Sequence, residues 1–244
     1  MRFISKLEIK NGYLVKGRQL EGNRKIGDPL EYAIKYYNSG VDEIFFFDIV
    51  ASLYNSQIIN QIVEHVCSKI FIPFAVGGGV RNLNDCKKLF ESGADKIHLN
   101  SILFEDLKLI DQFCKVYGSQ SISIEVQTKK IENEYYCFFD RGREFSNITL
   151  SSWLKKLKDY EWGEVIITDI DRDGMNNGVN MELIKIFRSF FKDRHIIYSG
   201  GFNPNIDDYE ELEPYLDGLL VASALHNDSV NVKNYAQRLR NEKN

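Results

Sequence analysis

The 244-residue sequence predicts an α/β protein, a (β/α)8 TIM barrel with a twofold half-barrel repeat, and three observations favour this fold. Short apolar runs alternate with amphipathic helical stretches, which is typical of a parallel sheet. Eight such units fit one barrel of this length. The second half of the chain also resembles the first half, which an open doubly wound sheet would not explain. We therefore expect one domain over residues 1–244, with half-barrels of about 1–120 and 121–244.

Each predicted strand is a short apolar run that ends in polar or glycine residues, and the helices show apolar residues at three- and four-residue spacing. The predicted strands are Phe3–Ile9, Glu43–Asp48, Phe71–Val76, Lys96–Asn100, Ser121–Val126, Glu164–Asp169, His195–Ser199 and Gly218–Val221. The clearest predicted helices are Pro29–Ser39, Gln57–Ser68, Leu83–Ser92, Leu107–Tyr117 and Ser152–Tyr160.

The repeat consists of paired segments at similar positions in the two halves. Such self-similarity indicates two half-barrels related by a pseudo-twofold axis. The pairs are VDEIFFFDI (41–49) with WGEVIITDI (162–170), FAVGGGV (74–80) with IIYSGGF (196–202), KIHLNSILF (96–104) with GLLVASALH (218–226), and, more weakly, SKLEIK (5–10) with SISIEVQ (121–127).

Two long connections interrupt the alternation. Thr128–Phe145 contains alternating aromatic residues and an Asp140-Arg141-Gly142 turn, so we predict a β-hairpin insertion over 128–145. Arg18–Asp28 is rich in glycine and basic residues and ends where a helix starts at Asp28-Pro29. We expect it to be a loop, either a lid over the barrel mouth or a solvated surface loop.

Composition limits the classes of function. The net charge of -4 and pI near 5.7 argue against nucleic-acid or acidic-membrane binding. No apolar run approaches the length of a membrane span, and the start lacks the apolar core of a signal peptide, so we expect a cytoplasmic protein. The four cysteines and four histidines are scattered without the spacing of a zinc site. The sequence therefore predicts no metal site and no cofactor.

Glycine turns follow two equivalent strands, at Gly77–Gly79 and Ser199–Gly201. Backbone amides in such turns, close to a helix N-terminus, bind anions. A single copy would be explained by the tight turn alone, but the repeat favours two phosphate sites on one ligand. The predicted phosphate-binding residues are Gly79, Asn100 and Ser101 at one turn, Ser199, Gly200, Gly201, Ala222 and Ser223 at the other, and Lys16 as a cation.

Glu8 and Glu125 occupy equivalent places at two strand ends. Facing carboxylates act as general acid and general base when their environments separate their pKa values. The alternative is that each pairs with a neighbouring lysine such as Lys10 or Lys16. Their symmetric placement favours the catalytic role. Other candidate substrate-binding residues at strand ends are Asp48, Thr168, Asp173 and Gly174, whereas Asp169 and Asp171 are expected to stabilise their loop.

Four charged residues stand at the opposite ends of the strands. Strand alternation puts Arg2, Lys96 and Glu164 on the inward face and leaves the orientation of Glu43 open. Two cations and two anions at this position predict a closed salt-bridge ring that plugs the floor of the barrel.

The chain also resembles a known family, the cyclase subunit of imidazole glycerol phosphate synthase, HisF. The resemblance covers nearly the whole chain, and its motifs are specific in combination and order. They are NGYLVKG (11–17), GDP (27–29), DEIFFFDIVAS (42–52), FAVGGGVRN (74–82), GADKIHLNS (93–101), GEVIITDIDRDG (163–174), SGG (199–201) and VAS (221–223).

The resemblance implies a reaction and a partner. The family takes ammonia from a glutaminase subunit, HisH, and converts a diphosphorylated aminoimidazole carboxamide ribonucleotide to imidazole glycerol phosphate and an aminoimidazole carboxamide ribotide. The floor charges, which match at all four positions, would then be an ammonia gate. Asp95 matches a position at the glutaminase interface.

The resemblance is imperfect at the catalytic positions. The family has aspartates where this chain has Glu8 and Glu125, and Arg141 stands where a small polar residue is usual. Glutamate moves the carboxylate outward, and a displacement on the order of 1 Å can cost about a hundredfold in rate. An alternative is therefore a HisF-like paralogue that pairs with a HisH-like glutaminase. It would supply ammonia to a separate ATP-dependent sugar amidotransferase in surface-sugar biosynthesis.

Overall fold

Eight parallel strands form a closed barrel in the computed structural model, which describes residues 1–50 and 58–233. In chain order the strands are β1 (Arg2–Lys10), β2 (Tyr13–Arg18), β3 (Glu21–Gly27), β4 (Glu43–Asp48), β5 (Phe74–Gly77), β6 (Lys96–Leu99), β7 (Ile122–Ile131), β8 (Glu134–Phe139), β9 (Glu144–Thr149), β10 (Glu164–Asp169), β11 (His195–Ser199) and β12 (Gly218–Val221).

The barrel closes because β1 pairs in parallel with both β12 and β4, and β7 with both β6 and β10. The strands β2, β3, β8 and β9 lie outside this ring. The closure confirms the predicted barrel and excludes the open doubly wound sheet. All eight predicted barrel strands are present.

The helices lie between the strands, as the alternation predicts. Helix α1 occupies the predicted residues because the Asp28 side chain accepts hydrogen bonds from the Leu30 and Glu31 amides, and Gly40 ends it at φ 90°. The predicted start of the second helix, Gln57, lies outside the described residues, as do Ala51 and Ser52 of one family motif. The helices are α1 (Pro29–Ser39), α2 (Ile58–Cys67), α3 (Leu83–Glu91), α4 (Ile102–Glu105), α5 (Leu109–Tyr117), α6 (Leu150–Leu157), α7 (Met181–Phe190), α8 (Tyr209–Leu212) and α9 (Ser223–His226).

The strands are buried on both faces, which explains their nearly continuous apolar sequences. Outward side chains pack against the helices in one large cluster. Inward side chains form a smaller apolar layer across the barrel, which consists of Ile4, Phe45, Phe47, Ala75, Ile166, Ile197 and Leu220.

The third barrel strand is shorter than predicted. Phe71 was assigned to it, but this side chain is 81% exposed, and β5 begins at Phe74. Pro73 has no amide proton to donate to a ladder, and only its carbonyl takes part, as acceptor for the Ile44 amide. The proline is therefore where this strand starts.

The connection predicted as a loop over Arg18–Asp28 is instead strand β3 and its two flanking turns. β1 turns through Asn11 (φ 50°) and Gly12 (φ 80°) into β2, which pairs with β3. Asn-Gly is the preferred sequence of a two-residue hairpin turn, because both positions take a positive φ. This signal was present in the sequence and was missed. We call residues 13–27 the mouth hairpin.

The second insertion is larger than the predicted hairpin over 128–145. β7 continues past the barrel to Ile131, pairs with β8, and β8 pairs with β9 as far as Thr149. The predicted Asp140-Arg141-Gly142 turn joins β8 and β9, with all three residues at positive φ. Each half of the barrel thus carries an antiparallel extension of its first strand.

Among the described residues, no helix has the length and apolarity that a membrane span requires.

Helix α9 is joined to α1 on the outside of the barrel by Tyr36 and His226. The Tyr36 hydroxyl lies 2.6 Å from Nδ1 of His226, and the two rings stack 5.8 Å apart. Burial lowers the pKa of His226 from 6.5 to about 4. The imidazole is therefore neutral near pH 7, and it shares a hydrogen bond with the Tyr36 hydroxyl.

We expect this pair to make stability depend on pH. Between pH 6.5 and about 4 the unfolded chain binds a proton at His226 and the folded chain does not, so unfolding becomes easier as pH falls. The loss is roughly 2 kcal/mol. Urea unfolding at pH 7 and pH 4.5 measures it. His226→Gln should reduce the pH dependence, whereas His65→Gln, at an exposed histidine, should not. Equal pH dependence in His226→Gln and the wild type would contradict this account.

Candidate active site

A closed ring of four charged side chains crosses the floor of the barrel. Arg2 donates to Glu43 and, at 2.7 Å, to Glu164. Lys96 donates to Glu43 at 2.7 Å and to Glu164 at 3.1 Å, and Ser123 adds a hydrogen bond to Glu164 at 2.8 Å. Glu43 therefore points inward with the other three, which settles the orientation that the sequence left open.

Asp95 lies beside this floor. It is exposed, and its carboxylate accepts a hydrogen bond from the Phe74 amide at 2.9 Å. This contact fixes the start of β5 next to β6. Above the ring, along the barrel axis, comes the apolar layer, and above that layer comes the polar mouth.

The mouth contains a cavity of about 570 Å³. It brings together residues that the sequence predicted from five different strand ends: Glu8, Asp48, Gly79, Asn100, Ser101 and Glu125. The cavity is also lined by four residues that were not predicted to bind substrate or to take part in catalysis: Lys6, His98, Gln127 and Arg141.

Glu8 is held by three cations. Its carboxylate oxygens lie 3.2 Å from Nζ of Lys16, 3.1 Å from Arg141 and 3.6 Å from Nζ of Lys6. Burial alone would raise the pKa of Glu8, but the charges of Lys16, Arg141 and Lys6 lower it well below its ordinary value. Glu8 is therefore ionised. The pairing with Lys16, which was the alternative reading, is present inside the cavity.

Three polar side chains lie against the Glu125 carboxylate. Thr168 donates its hydroxyl at 2.5 Å and Gln127 its amide at 2.7 Å, while Nε2 of His98 lies 3.3 Å away. Burial would raise the pKa of Glu125, but His98, Lys6 and the Thr168 hydroxyl lower it to about 2. Thr168, predicted to bind substrate, is thus occupied with Glu125. Both carboxyls are shifted downward, so the protein alone does not separate them into an acid and a base.

The first glycine turn lies in the wall of this cavity. Gly78 has φ 102°, and a side chain there would meet the Asp48 carbonyl at 2.1 Å, so only glycine allows this approach. Asn100 donates to the Glu125 carbonyl at 3.1 Å, and Ser101 accepts a hydrogen bond from the Asp140 amide at 3.0 Å. These contacts place the turn, Asn100 and Ser101 beside the catalytic candidates.

The second glycine turn lines a separate and smaller pocket of about 20 Å³. On this measure of volume the pocket has room for about one water molecule. Gly200, at φ 132°, packs against the Asp169 carbonyl much as Gly78 packs against Asp48. The pocket brings together the five residues predicted for this turn, Ser199, Gly200, Gly201, Ala222 and Ser223. Asp173 and Gly174, predicted only as substrate-binding residues, line it as well.

Lys16 lies between the two pockets. It donates to Asp173 at 2.8 Å and 3.0 Å and to Glu8 at 3.2 Å, and these carboxylates line the second and first pockets, respectively. Asp173 also accepts from the Leu20 amide of the mouth hairpin at 3.3 Å. Asp173 therefore holds the mouth hairpin across the barrel through Lys16 and Leu20.

The overlooked cavity residues lie at inward strand positions (Lys6, His98 and Gln127) and on a turn (Arg141). Lys6 and His98 lie on β1 and β6 with their side chains inward, and strand alternation from Glu8 and Lys96 would have identified them. Arg141 reaches Glu8 from the turn between β8 and β9 and also donates to Asn23 of the mouth hairpin at 3.0 Å. No local pattern predicts such a long-range contact.

Among the residues described, no cluster of histidine, cysteine and carboxylate side chains is arranged to hold a metal ion.

Fold and site together define a (β/α)8 barrel with two ionised carboxylates in its mouth and a charge ring at its floor. The histidine biosynthesis protein family matches residues 2–231. The chain is 37% identical over 239 residues to the imidazole glycerol phosphate synthase subunit HisF of Campylobacter concisus, covering 98% of this chain and 94% of that protein. It is 33% identical over 239 residues to the HisF subunit of a Thermotoga species, with the same coverage. The chain belongs to the HisF family.

Proposed function

We propose that this chain is the cyclase subunit of imidazole glycerol phosphate synthase. It uses ammonia from a HisH-type glutaminase to convert a diphosphorylated aminoimidazole carboxamide ribonucleotide to imidazole glycerol phosphate and the aminoimidazole carboxamide ribotide. The observation that carries the proposal is the pair Glu8 and Glu125 in one cavity beside a glycine turn. The names of the relatives support the same assignment.

The two carboxylates act as bases. Ammonia that attacks a carbon of the substrate becomes a positively charged nitrogen and must lose protons as the new bonds form. Glu8 and Glu125 are ionised and accept these protons. Asn100, Ser101 and the amides around Gly79 bind one phosphate of the substrate.

The second phosphate site lies against the mouth hairpin. Its pocket is lined by Asp173, Gly174, Ser199, Gly200, Gly201, Ala222 and Ser223, and Lys16 and Leu20 of the mouth hairpin contact Asp173. Displacement of these contacts frees Lys16 to neutralise the phosphate. The mouth hairpin thus takes the place of the loop that the sequence predicted, either as a lid or as a solvated surface loop.

Ammonia enters from the opposite end of the barrel. Arg2, Glu43, Lys96 and Glu164 form the gate, and Asp95 lies on the surface where the glutaminase docks. The apolar layer lies between the gate and the cavity along the barrel axis. This arrangement supports delivery of a neutral molecule from a partner bound at the floor.

Turnover of the histidine-pathway substrate by the purified chain, with ammonium and without a glutaminase, tests the proposal. We expect imidazole glycerol phosphate to form. If there is no product, and product appears when Glu8→Asp and Glu125→Asp are combined, the reaction is not native to this chain. A chain that only conducts ammonia to a sugar amidotransferase would be inactive in both forms.

A further inference from the structure

Lys6 is a buried cation in the mouth cavity that the proposed reaction does not use. It lies on β1 two residues before Glu8, so both side chains point into the barrel. Its side chain is 3% exposed and lines the cavity wall. Ile4 precedes it on the same face and belongs to the apolar layer. Lys6 therefore occupies the bottom of the cavity, directly above apolar side chains.

The ammonium of Lys6 has more donors than the protein satisfies. An ammonium has three N–H donors. Within the described residues, Lys6 makes one ion pair, with Glu8 at 3.6 Å, and lies 5.0 Å from the centre of the Phe47 ring. A separation of 3.6 Å is too long for a hydrogen bond. None of the three donors has a hydrogen-bond acceptor among these side chains.

Both nearby carboxylates are already bound by closer donors. Glu8 has Lys16 and Arg141 within 3.2 Å, and Glu125 has Thr168 and Gln127 within 2.7 Å. Among the contacts of the described residues, Lys6 itself makes no hydrogen bond to either carboxylate. A buried charge that lacks hydrogen bonds is unfavourable unless something else supplies the acceptor.

We propose that the Lys6 ammonium binds a negatively charged oxygen of the ligand, in the middle of the cavity and apart from its phosphate ends. Such an oxygen is a carboxylate, or the oxyanion of an enolate or ionised hydroxyl. The apolar layer beneath Lys6 excludes water from one side, which strengthens the interaction. The site then recognises a phosphorylated molecule by two features, a phosphate at the Gly79 turn and an oxyanion at Lys6.

This inference rests on the proposed function only for the presence of a phosphorylated ligand in this cavity. A purely structural role, in which Lys6 balances the charges of Glu8 and Glu125, would affect stability without affecting the choice of ligand. Ligand selectivity therefore distinguishes binding by Lys6 from a structural role.

Two small probes differ in the required group. 3-Phosphoglycerate has a carboxylate and a phosphate, and glycerol 3-phosphate has the phosphate without the carboxylate. Titration calorimetry should show that the wild-type chain binds 3-phosphoglycerate about tenfold more tightly. Lys6→Met should bind both probes equally, and Lys6→Gln should keep part of the preference. Lys10→Met, at an exposed lysine of the same strand, should bind both as the wild type does.

Thermal unfolding of each variant shows whether it is folded, and Lys6→Gln provides a second test if Lys6→Met does not fold. An unchanged preference in a folded Lys6 variant would overturn the proposal. The proposal would also be overturned if the wild-type chain bound the two probes equally, or bound neither of them at millimolar concentration. The binding results do not depend on turnover. A Lys6-dependent preference in a chain without cyclase activity would uphold this inference and count against the proposed function.

Discussion

Glu125→Gln is expected to reduce ammonia-dependent turnover about a thousandfold, within the range found when a general base is removed. The substitution keeps the size of the side chain but removes the charge. Thr168 and Gln127 both donate to the carboxylate, so one of them would face the amide NH2 group of the new side chain. The variant therefore loses its proton acceptor and part of the network that orients it. Steady-state rates at saturating ammonium measure the effect.

Glu144→Gln is the matched control, because Glu144 lines the same cavity but is exposed at its rim. It should keep turnover within about threefold of the wild type, since surface substitutions have small effects. Because the pKa of Glu125 is about 2, the wild-type rate should not fall through protonation of this group between pH 5 and pH 8. A Glu125→Gln variant that is folded and nearly as active as the wild type would remove Glu125 from the mechanism.

Glu164→Ala is expected to lower the free energy of unfolding by about 3 kcal/mol, because it breaks a buried ion-pair network and leaves two cations with one carboxylate. Glu164 accepts from Arg2, Lys96 and Ser123, and burial that would raise its pKa is outweighed by the charges of Arg2 and Lys96. The same change should disturb the gate. Turnover driven by glutamine, in the complex with a glutaminase, should fall more than turnover driven by ammonium.

Urea unfolding and the two turnover assays separate these effects. Glu161→Gln is a suitable control, because Glu161 is 76% exposed and pairs only with Arg194 among the ion pairs described. It should change stability by less than about 1 kcal/mol. If glutamine- and ammonium-driven turnover fall equally in Glu164→Ala, the ring stabilises the floor but does not gate ammonia.

Much of the fold could be predicted because it depends on local patterns. Strand alternation placed Arg2, Lys96 and Glu164 on one inward face, and the structure shows them in a closed ring. The N-cap signal at Asp28 correctly predicted that α1 begins at Pro29. These features need only the period of a strand or the first turn of a helix.

The environment of Glu8 could not be predicted in the same way. Its three cations come from β1, β2 and the turn between β8 and β9, which are up to 135 residues apart along the chain. Only the closed barrel and its two antiparallel extensions bring them together. The missed Asn11-Gly12 turn is a different case, since the signal was local and the basic composition of the following segment suggested a loop instead.

The grouping of Lys6, Lys16 and Arg141 around one carboxylate has a consequence for how this site can evolve. Loss of the charge at Glu8 would leave Lys6 and Arg141 without their shared carboxylate and Lys16 with Asp173 alone, so that change should be better tolerated after one of the cations is lost. The four positions are thus expected to be epistatic. Substitutions at position 8 among relatives should covary with substitutions at positions 6, 16 and 141. Position 141 lies on the turn between β8 and β9, which sequence comparison alone would treat as a peripheral insertion.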